Sequence, residues 1–293
     1  MLYQEDIIYR PPFEAESMLI EVTIGCTYGK CTFCMCSSGE RKFEMIPMDK
    51  LEENIQILGI HEWHKTSAFL LGENVFALST DRLKAIFQLI NKYAPNVKKI
   101  SMYSRAVDVL SKSKAELMQL KILGLGDLYI GIESGNDDIL IACEKGETVA
   151  ELREALTLLD EMKIGYGLSS IFGLGGKKRW KENAIDTAEF YNSVNPKNIR
   201  VMTLTALENT KLFTQIKSGE FIEQSPGGIL LEERLFLENL NVTDCVFLGT
   251  HVSNTVPLVG ILPKHKETLL RLLDEVISEI DLETLQKTSF QQW

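Results

Sequence analysis

The chain lacks any uninterrupted apolar run of the ~18 residues that a membrane-spanning helix requires, so no spanning helix is expected. Its first residues, Met1-Leu-Tyr-Gln-Glu-Asp, carry neither a basic nor an apolar stretch, and no signal peptide is expected. An excess of positive charge is also missing. Thirty-one Lys and Arg stand against 41 Asp and Glu, a net charge of −10. A protein that grips phosphate backbones usually shows a basic surface, so nucleic acid is not expected as the main partner. No low-complexity segment or long linker is present. Hydrophobic residues at 45% and charged residues at 25% are ordinary globular values, which excludes disorder, collagen and coiled coil as the main architecture. The expectation is a soluble cytoplasmic protein of 293 residues, long enough to bury about 75% of its unfolded surface.

Cysteine is sparse but unevenly placed. Three of the six lie within nine residues, Cys26, Cys31 and Cys34, in the spacing C-x4-C-x2-C, with Cys36 just beyond. Disulfides are disfavoured in a cytosolic compartment, and thiolates this close point to a metal or an iron–sulfur centre. A closed zinc site and a saturated cluster both take four protein ligands. Three ligands leave one coordination position open, where chemistry can take place. Two blander readings stand beside this one: a zinc knuckle with Cys36 as fourth ligand, or buried unreactive thiols. Otherwise Cys36 reads as a bystander, and the isolated Cys143 and Cys245 as core thiols.

Short β-branched or aromatic runs alternate with segments of helical period. Strands are expected near 18–24, 67–72, 99–104, 128–132, 165–172 and 198–204, and helices near 48–58, 80–94, 114–123, 148–162 and 180–194. Such alternation predicts a parallel sheet with right-handed crossovers. The expected fold is α/β, a partial (β/α)6 TIM-like barrel over 1–207, with a C-terminal helical extension, 208–293, packed on it as a cap. That extension reads as a helix near 228–240, a strand near 244–248 and a last helix near Lys264–Ile280.

Ligands gather at the C-terminal edge of such sheets. The residues expected there are the cysteine loop, Gly72-Glu73, Arg105, Glu133-Ser134 and the loop Gly173–Gly176. That loop satisfies neither a dinucleotide fingerprint nor a P-loop. Lys177, Lys178 and Arg179 read as a solvated run, with Lys177 a candidate contact for a substrate anion. His251 and Asn254 lie in the polar loop Thr250-His-Val-Ser-Asn-Thr-Val-Pro257. They either line a substrate pocket, with His251 as proton donor, or cap the loop backbone. His61, His64 and His265 read as surface residues.

Arg10-Pro11-Pro12 followed by Thr23-Ile-Gly-Cys26-Thr-Tyr-Gly-Lys-Cys31-Thr-Phe-Cys34 resembles the radical S-adenosylmethionine (SAM) superfamily. The nearest likeness is to an Fe–S oxidoreductase group related to oxygen-independent coproporphyrinogen oxidase. The usual superfamily spacing is C-x3-C-x2-C; this chain has one residue more, a departure that this group shares. The resemblance implies that Cys26, Cys31 and Cys34 hold a 4Fe–4S cluster whose fourth iron chelates SAM. It implies that Phe33 lies near the adenine, with Ile171 to Gly175, including Gly173, as the apolar strand and loop beside it. Gly72-Glu73 matches the end of a Gly-Gly-Glu motif that meets the SAM amino group, with Leu71 in place of the first glycine. Glu133, with Ser134, matches the polar strand end at the ribose or methionine, and Arg105 is a carboxylate partner. The implied activity is reductive cleavage of SAM to a 5′-deoxyadenosyl radical that abstracts hydrogen from a small-molecule substrate. Reduced flavodoxin or ferredoxin would supply the electron. Alternatives are an Fe–S electron carrier or redox sensor that does not cleave SAM, and a zinc-stabilised binding module.

Overall fold

The computed structural model describes residues 3, 8–39 and 42–279. Ile280, the expected end of the last helix, lies outside the described residues. In chain order the elements are β1 (Met18–Glu21), β2 (Thr23–Ile24), β3 (Glu44–Met45), α1 (Met48–His61), β4 (Ser67–Leu71), α2 (Thr80–Tyr93), β5 (Lys99–Ser104), α3 (Ala106–Leu110), α4 (Lys114–Ile122) and β6 (Leu125–Glu133). There follow α5 (Asp137–Ala142), α6 (Val149–Glu161), β7 (Tyr166–Phe172), α7 (Gly176–Asn192), β8 (Asn198–Thr203), α8 (Lys211–Ser218), α9 (Pro226–Asn239), β9 (Cys245–Leu248), β10 (Val259–Leu262) and α10 (Lys266–Glu279).

Two compact units are present. The first takes the chain up to Gly29, Gly39–Ile130 and Glu154–Tyr166; the second takes Lys30–Ser38, Gly131–Arg153 and everything from Gly167 onward. In the first unit β1, β4, β5 and β6 pair in parallel, with Ile20 opposite Leu70, Leu70 opposite Met102 and Met102 opposite Leu128. Helix α2 shows why these segments fold as they do. Ser79 caps it by accepting from the Arg82 N–H, and Leu83, Ile86, Phe87 and Ile90 form its buried stripe. Helix α4 carries a full capping box between Ser113 and Glu116.

In the second unit β7 and β8 pair in parallel, Ile171 opposite Met202. Strand β9 adds in parallel to β8, and β10 antiparallel to β9. Phe236 of α9 meets Phe172 at 5.4 Å and Tyr191 at 5.7 Å, both edge to face, in the core of this unit. The hydrogen-bonded order of the long sheet is β1-β4-β5-β6-β7-β8-β9-β10. Helices follow each of its first six strands, which is the connectivity of the (β/α)6 array expected. Among the described residues no helix is long and apolar enough to cross a membrane.

The differences from expectation have local causes. The tail is more than helical: β9 and β10 extend the sheet. The expected first strand ends at Glu21; Thr23–Ile24 turns away to pair with Glu44–Met45. Helix α7 begins at Gly176, ahead of the expected Trp180, and Arg179 at φ −122°, ψ 19° kinks it, which breaks the helical period in the sequence.

Candidate active site

The cysteine loop starts from the β2–β3 ladder in the first unit. Gly25 there has φ +71°, and a Cβ would fall 2.7 Å from the Lys42 carbonyl oxygen, so only glycine fits. Cys26 follows, half-buried and free. The next residues are held by the ends of β4 and β5. The Asn74 amide donates to Thr27 Oγ1 at 2.9 Å and to Asp108 at 2.8 Å, and the Arg105 guanidinium lies 3.9 Å from the Tyr28 ring centroid. Gly72 has φ +140°, and a Cβ on it would meet Thr23 Oγ1 at 2.0 Å. Glu73 is half-buried beside it. Thus the end of β4 meets the loop at Thr23, before Cys26, and the end of β5 meets it at Tyr28, after Cys26.

Cys31 and Cys34 belong to the second unit. Thr32 between them is pinned on both sides: its N–H donates to the Cys143 carbonyl and its carbonyl accepts from the Leu212 N–H, each at 2.9 Å. Phe33 packs against a cluster that includes Ile171, Leu174 and Leu204, which brings the loop aromatic to the end of β7. The Cys34 N–H donates to the Cys31 carbonyl at 3.0 Å. A hydrogen bond from Cys36 outweighs burial and pulls the Cys34 thiol down to about 7. Cys36 is therefore more than a bystander. Burial pushes the Cys143 and Cys245 thiols up to about 12, as suits core residues.

Glu133 ends β6 with φ +62°, uncommon for a side chain of its size. Its carboxylate lies 3.1 Å from Lys145 Nζ, and Glu147 lies 3.5 Å from the same ammonium. Burial disfavours the Lys145 ammonium, but Glu133, Glu147 and Cys31 hold its pKa above the ordinary lysine value. The next residue, Ser134, donates to Asn183 Oδ1 at 2.6 Å. The Asn183 amide donates to the Ile171 carbonyl and to Glu232, whose carboxyl also accepts from the Gly173 N–H. Ser134, Ile171 and Gly173 are thereby joined in one network.

His251 and Asn254 sit at the end of β8. Asn254 donates to the Val201 and Gly249 carbonyls and accepts from Thr203. His251 Nδ1 accepts from the Ser253 N–H at 3.3 Å and lies 2.6 Å from Ser253 Oγ. Burial, with Arg200 nearby, lowers the His251 pKa to about 4. The ring is neutral at pH 7, and its acceptor Nδ1 puts the proton on Nε2. Ser253 and Thr255 of this loop, with Gly173, Thr203, Thr205 and Gln224, line a cavity of about 250 Å³. Lys177 is exposed and outside that lining. His61 and His64 are exposed as expected, whereas His265 accepts from the Ile261 N–H.

The sequence reading missed Lys145, Glu147, Asn183 and Glu232. Lys145 had one signal, a lone cation in the turn after α5; Glu232 resembles any charged residue of an exposed helix face. As to a metal, none of the three loop cysteines is in a disulfide, and the Cys34 thiol is already shifted toward thiolate. Among the described residues no three His, Cys, Asp or Glu side chains are gathered at metal-binding distance. The donor chemistry, three thiols on a short loop, suits an iron–sulfur cluster.

The model of the radical SAM superfamily matches residues 20–190. Among curated proteins, a tRNA-2-methylthio-N(6)-dimethylallyladenosine synthase from Marinomonas sp. (strain MWYL1) is 24% identical over 198 residues, 64% of this chain and 43% of that protein. The chain thus spans less than half the length of the curated relative it matches. Coproporphyrinogen III oxidase from Escherichia coli is similar in structure, with TM-score 0.56 and 16% identity over 76% of this chain and 52% of that one. Methylornithine synthase has TM-score 0.55 and 14% identity over 89% and 81%. The methyltransferase TsrM from Kitasatospora setae has TM-score 0.57 and 14% identity over 69% and 39%. At these identities the likeness is one of fold. The superfamily match covers more than half of the chain, cysteine loop included, and the chain belongs to the radical SAM superfamily.

Proposed function

We propose that this chain is a radical SAM enzyme acting on a small molecule. When bound, a 4Fe–4S cluster supplies an electron that cleaves SAM to methionine and a 5′-deoxyadenosyl radical, which removes a hydrogen atom from substrate. The observation that carries the reading is the buried Glu133–Lys145–Glu147 group at the end of β6, in the unit that holds Cys31 and Cys34.

Cys26, Cys31 and Cys34 would hold three irons and leave the fourth open. Lys145 offers a desolvated cation to the SAM carboxylate, and Glu133 an anion to its amino group. Glu73 and Arg105 are the residues of the first unit that the resemblance assigns to SAM. Phe33 and Ile171 offer an apolar face to the purine, and Gly72 and Gly173 admit close backbone approach. Neutral His251 can offer its Nε2–H as a hydrogen-bond donor, and with its pKa lowered to about 4 it is not a proton donor at pH 7.

Threonine, serine and glutamine side chains line the cavity of about 250 Å³ in the second unit, which suits a small polar group. The net charge of −10 supports a small molecule over a nucleic acid, although the curated relative is a tRNA-modifying enzyme by name. The Arg10-Pro11-Pro12 start and the C-x4-C-x2-C spacing support the group related to oxygen-independent coproporphyrinogen oxidase. Reduced flavodoxin or ferredoxin is the donor in this reading, the compartment cytoplasmic, and 208–293 a cap on the core.

The test is anaerobic reconstitution with iron and sulfide. The wild type takes up about four irons, and the electron paramagnetic resonance signal of its reduced cluster changes on adding SAM. A Cys26/Cys31/Cys34→Ala triple variant does neither. A cluster indifferent to SAM favours the electron carrier, and zinc in the native protein favours the binding module.

A further inference from the structure

Glu232 lies on α9, beyond the end of the superfamily match at residue 190. It is 0% exposed, and among the described residues no cation pairs with it. A carboxyl so placed is stable only when hydrogen bonds replace its water. Its two oxygens accept from the Gly173 N–H at 3.2 and 3.1 Å, and Oε1 accepts from Asn183 Nδ2 at 2.7 Å. Burial lifts its pKa to about 8 against these lowering contacts.

Asn183 spends its groups fully. One amide hydrogen goes to Glu232 and the other to the Ile171 carbonyl at 3.1 Å, while Oδ1 accepts from Ser134 Oγ at 2.6 Å. One chain of contacts therefore ties the turn after β6, the last residues of β7 and the loop after β7 to α9. Gly173 itself is at φ +86°, and a Cβ there would fall 2.8 Å from Ile229 Cδ1, also on α9. The glycine lets the loop come close enough for its N–H to reach the carboxyl.

We infer that Glu232 is a positioning residue: from the C-terminal segment it sets the Gly173 loop, and through Asn183 it sets Ser134, in the geometry that receives SAM. The inference rests on the reading that SAM binds at these two strand ends. Helix α9 also supplies the control. Glu233, the next residue, is buried too, but its Oε1 makes no hydrogen bond and lies 3.1 Å from where a Cβ on Gly249 would fall.

The experiment compares full-length wild type, Glu232→Gln and Glu233→Gln. Amide hydrogen exchange at Gly173 is read in the unloaded protein. SAM affinity is read by calorimetry in the reconstituted protein, after iron content and cluster absorbance are matched. In Glu232→Gln an NH2 group replaces one acceptor and faces the Gly173 N–H or the Asn183 amide. Protection at Gly173 falls at least ~10-fold and the SAM Kd rises about 10- to 100-fold, the range expected when a supporting hydrogen bond is lost. Glu233→Gln keeps both at the wild-type value. Wild-type protection or wild-type affinity in Glu232→Gln overturns the inference, as does an equal loss in Glu233→Gln. If Glu232→Gln fails to fold, the wild type still decides the link: slow exchange at Gly173 supports it and fast exchange overturns it. A wild type that binds no SAM removes the cofactor reading, and with it the role assigned to Glu232, whatever the exchange shows.

Discussion

Glu133 Oε1 and Lys145 Nζ lie 3.1 Å apart with side chains only 11% and 6% exposed. Their twelve-residue separation spans α5, whose N-cap Asn136 accepts from the Ile139 N–H. The chain therefore leaves β6, makes two helical turns and returns a cation to the carboxylate it has just passed. Removing one partner of a buried pair strands the other charge, at a cost of about 3–5 kcal/mol. Lys145→Met would strand two carboxylates, Glu133 and Glu147. It is expected to lower the urea midpoint clearly, with Lys145→Arg recovering part of the loss. An unchanged midpoint in Lys145→Met contradicts the pairing.

Gly72 is expected to tolerate no side chain. Gly72→Ala meets both a positive φ and Thr23 Oγ1, and a loss of about 1–3 kcal/mol follows from backbone strain alone. Adding Thr23→Ala removes the hydroxyl clash but leaves the strain and the contacts with the residue 23 carbonyl oxygen and Val75 Cγ2, each at 2.9 Å. The double variant should therefore melt between Gly72→Ala and wild type. A double variant no better than Gly72→Ala would show that the hydroxyl is not the obstacle.

His251 gives a pH dependence of defined sign. Its folded pKa is depressed to about 4, below the ordinary ~6.5. Between those values the unfolded chain binds the proton and the folded one does not, so stability rises with pH. The contribution is complete above about 6.5 and is lost as pH falls toward 4. The wild-type urea midpoint should drop over that window more steeply than that of His251→Gln. Parallel curves would show that the ring is not held neutral.

Cys36 acts on Cys34 by hydrogen bonding. In the metal-free protein Cys36→Ala should move the pH midpoint of Cys34 alkylation from about 7 up toward the ordinary ~8.5. The reconstituted variant should still take up about four irons. Loss of the metal in Cys36→Ala would favour the zinc-knuckle arrangement.

Much of the fold was legible because its signals are periodic and long. Leu83, Ile86, Phe87 and Ile90 mark α2 plainly, and the run from Lys99 to Ser104 is a strand to the residue. Short elements gave no such signal. α3 and α5 have five and six residues, too few for a helical period to stand out, and β10 has four with a glycine among them. At the site, the cysteines announced themselves by spacing. Glu133 was reached by its place at a strand end. Lys145, Asn183 and Glu232 were not, because what distinguishes them is burial beside a partner far along the chain, and no local pattern encodes that.

The central claim is reductive SAM cleavage by the cluster that Cys26, Cys31 and Cys34 would hold. The most direct measurement is 5′-deoxyadenosine formed after anaerobic reconstitution, reduction and addition of SAM, in the wild type and in the Cys26/Cys31/Cys34→Ala variant. The account predicts deoxyadenosine from the wild type and none above background from the variant. A fully loaded wild type that forms none, or a variant that forms as much, would contradict it.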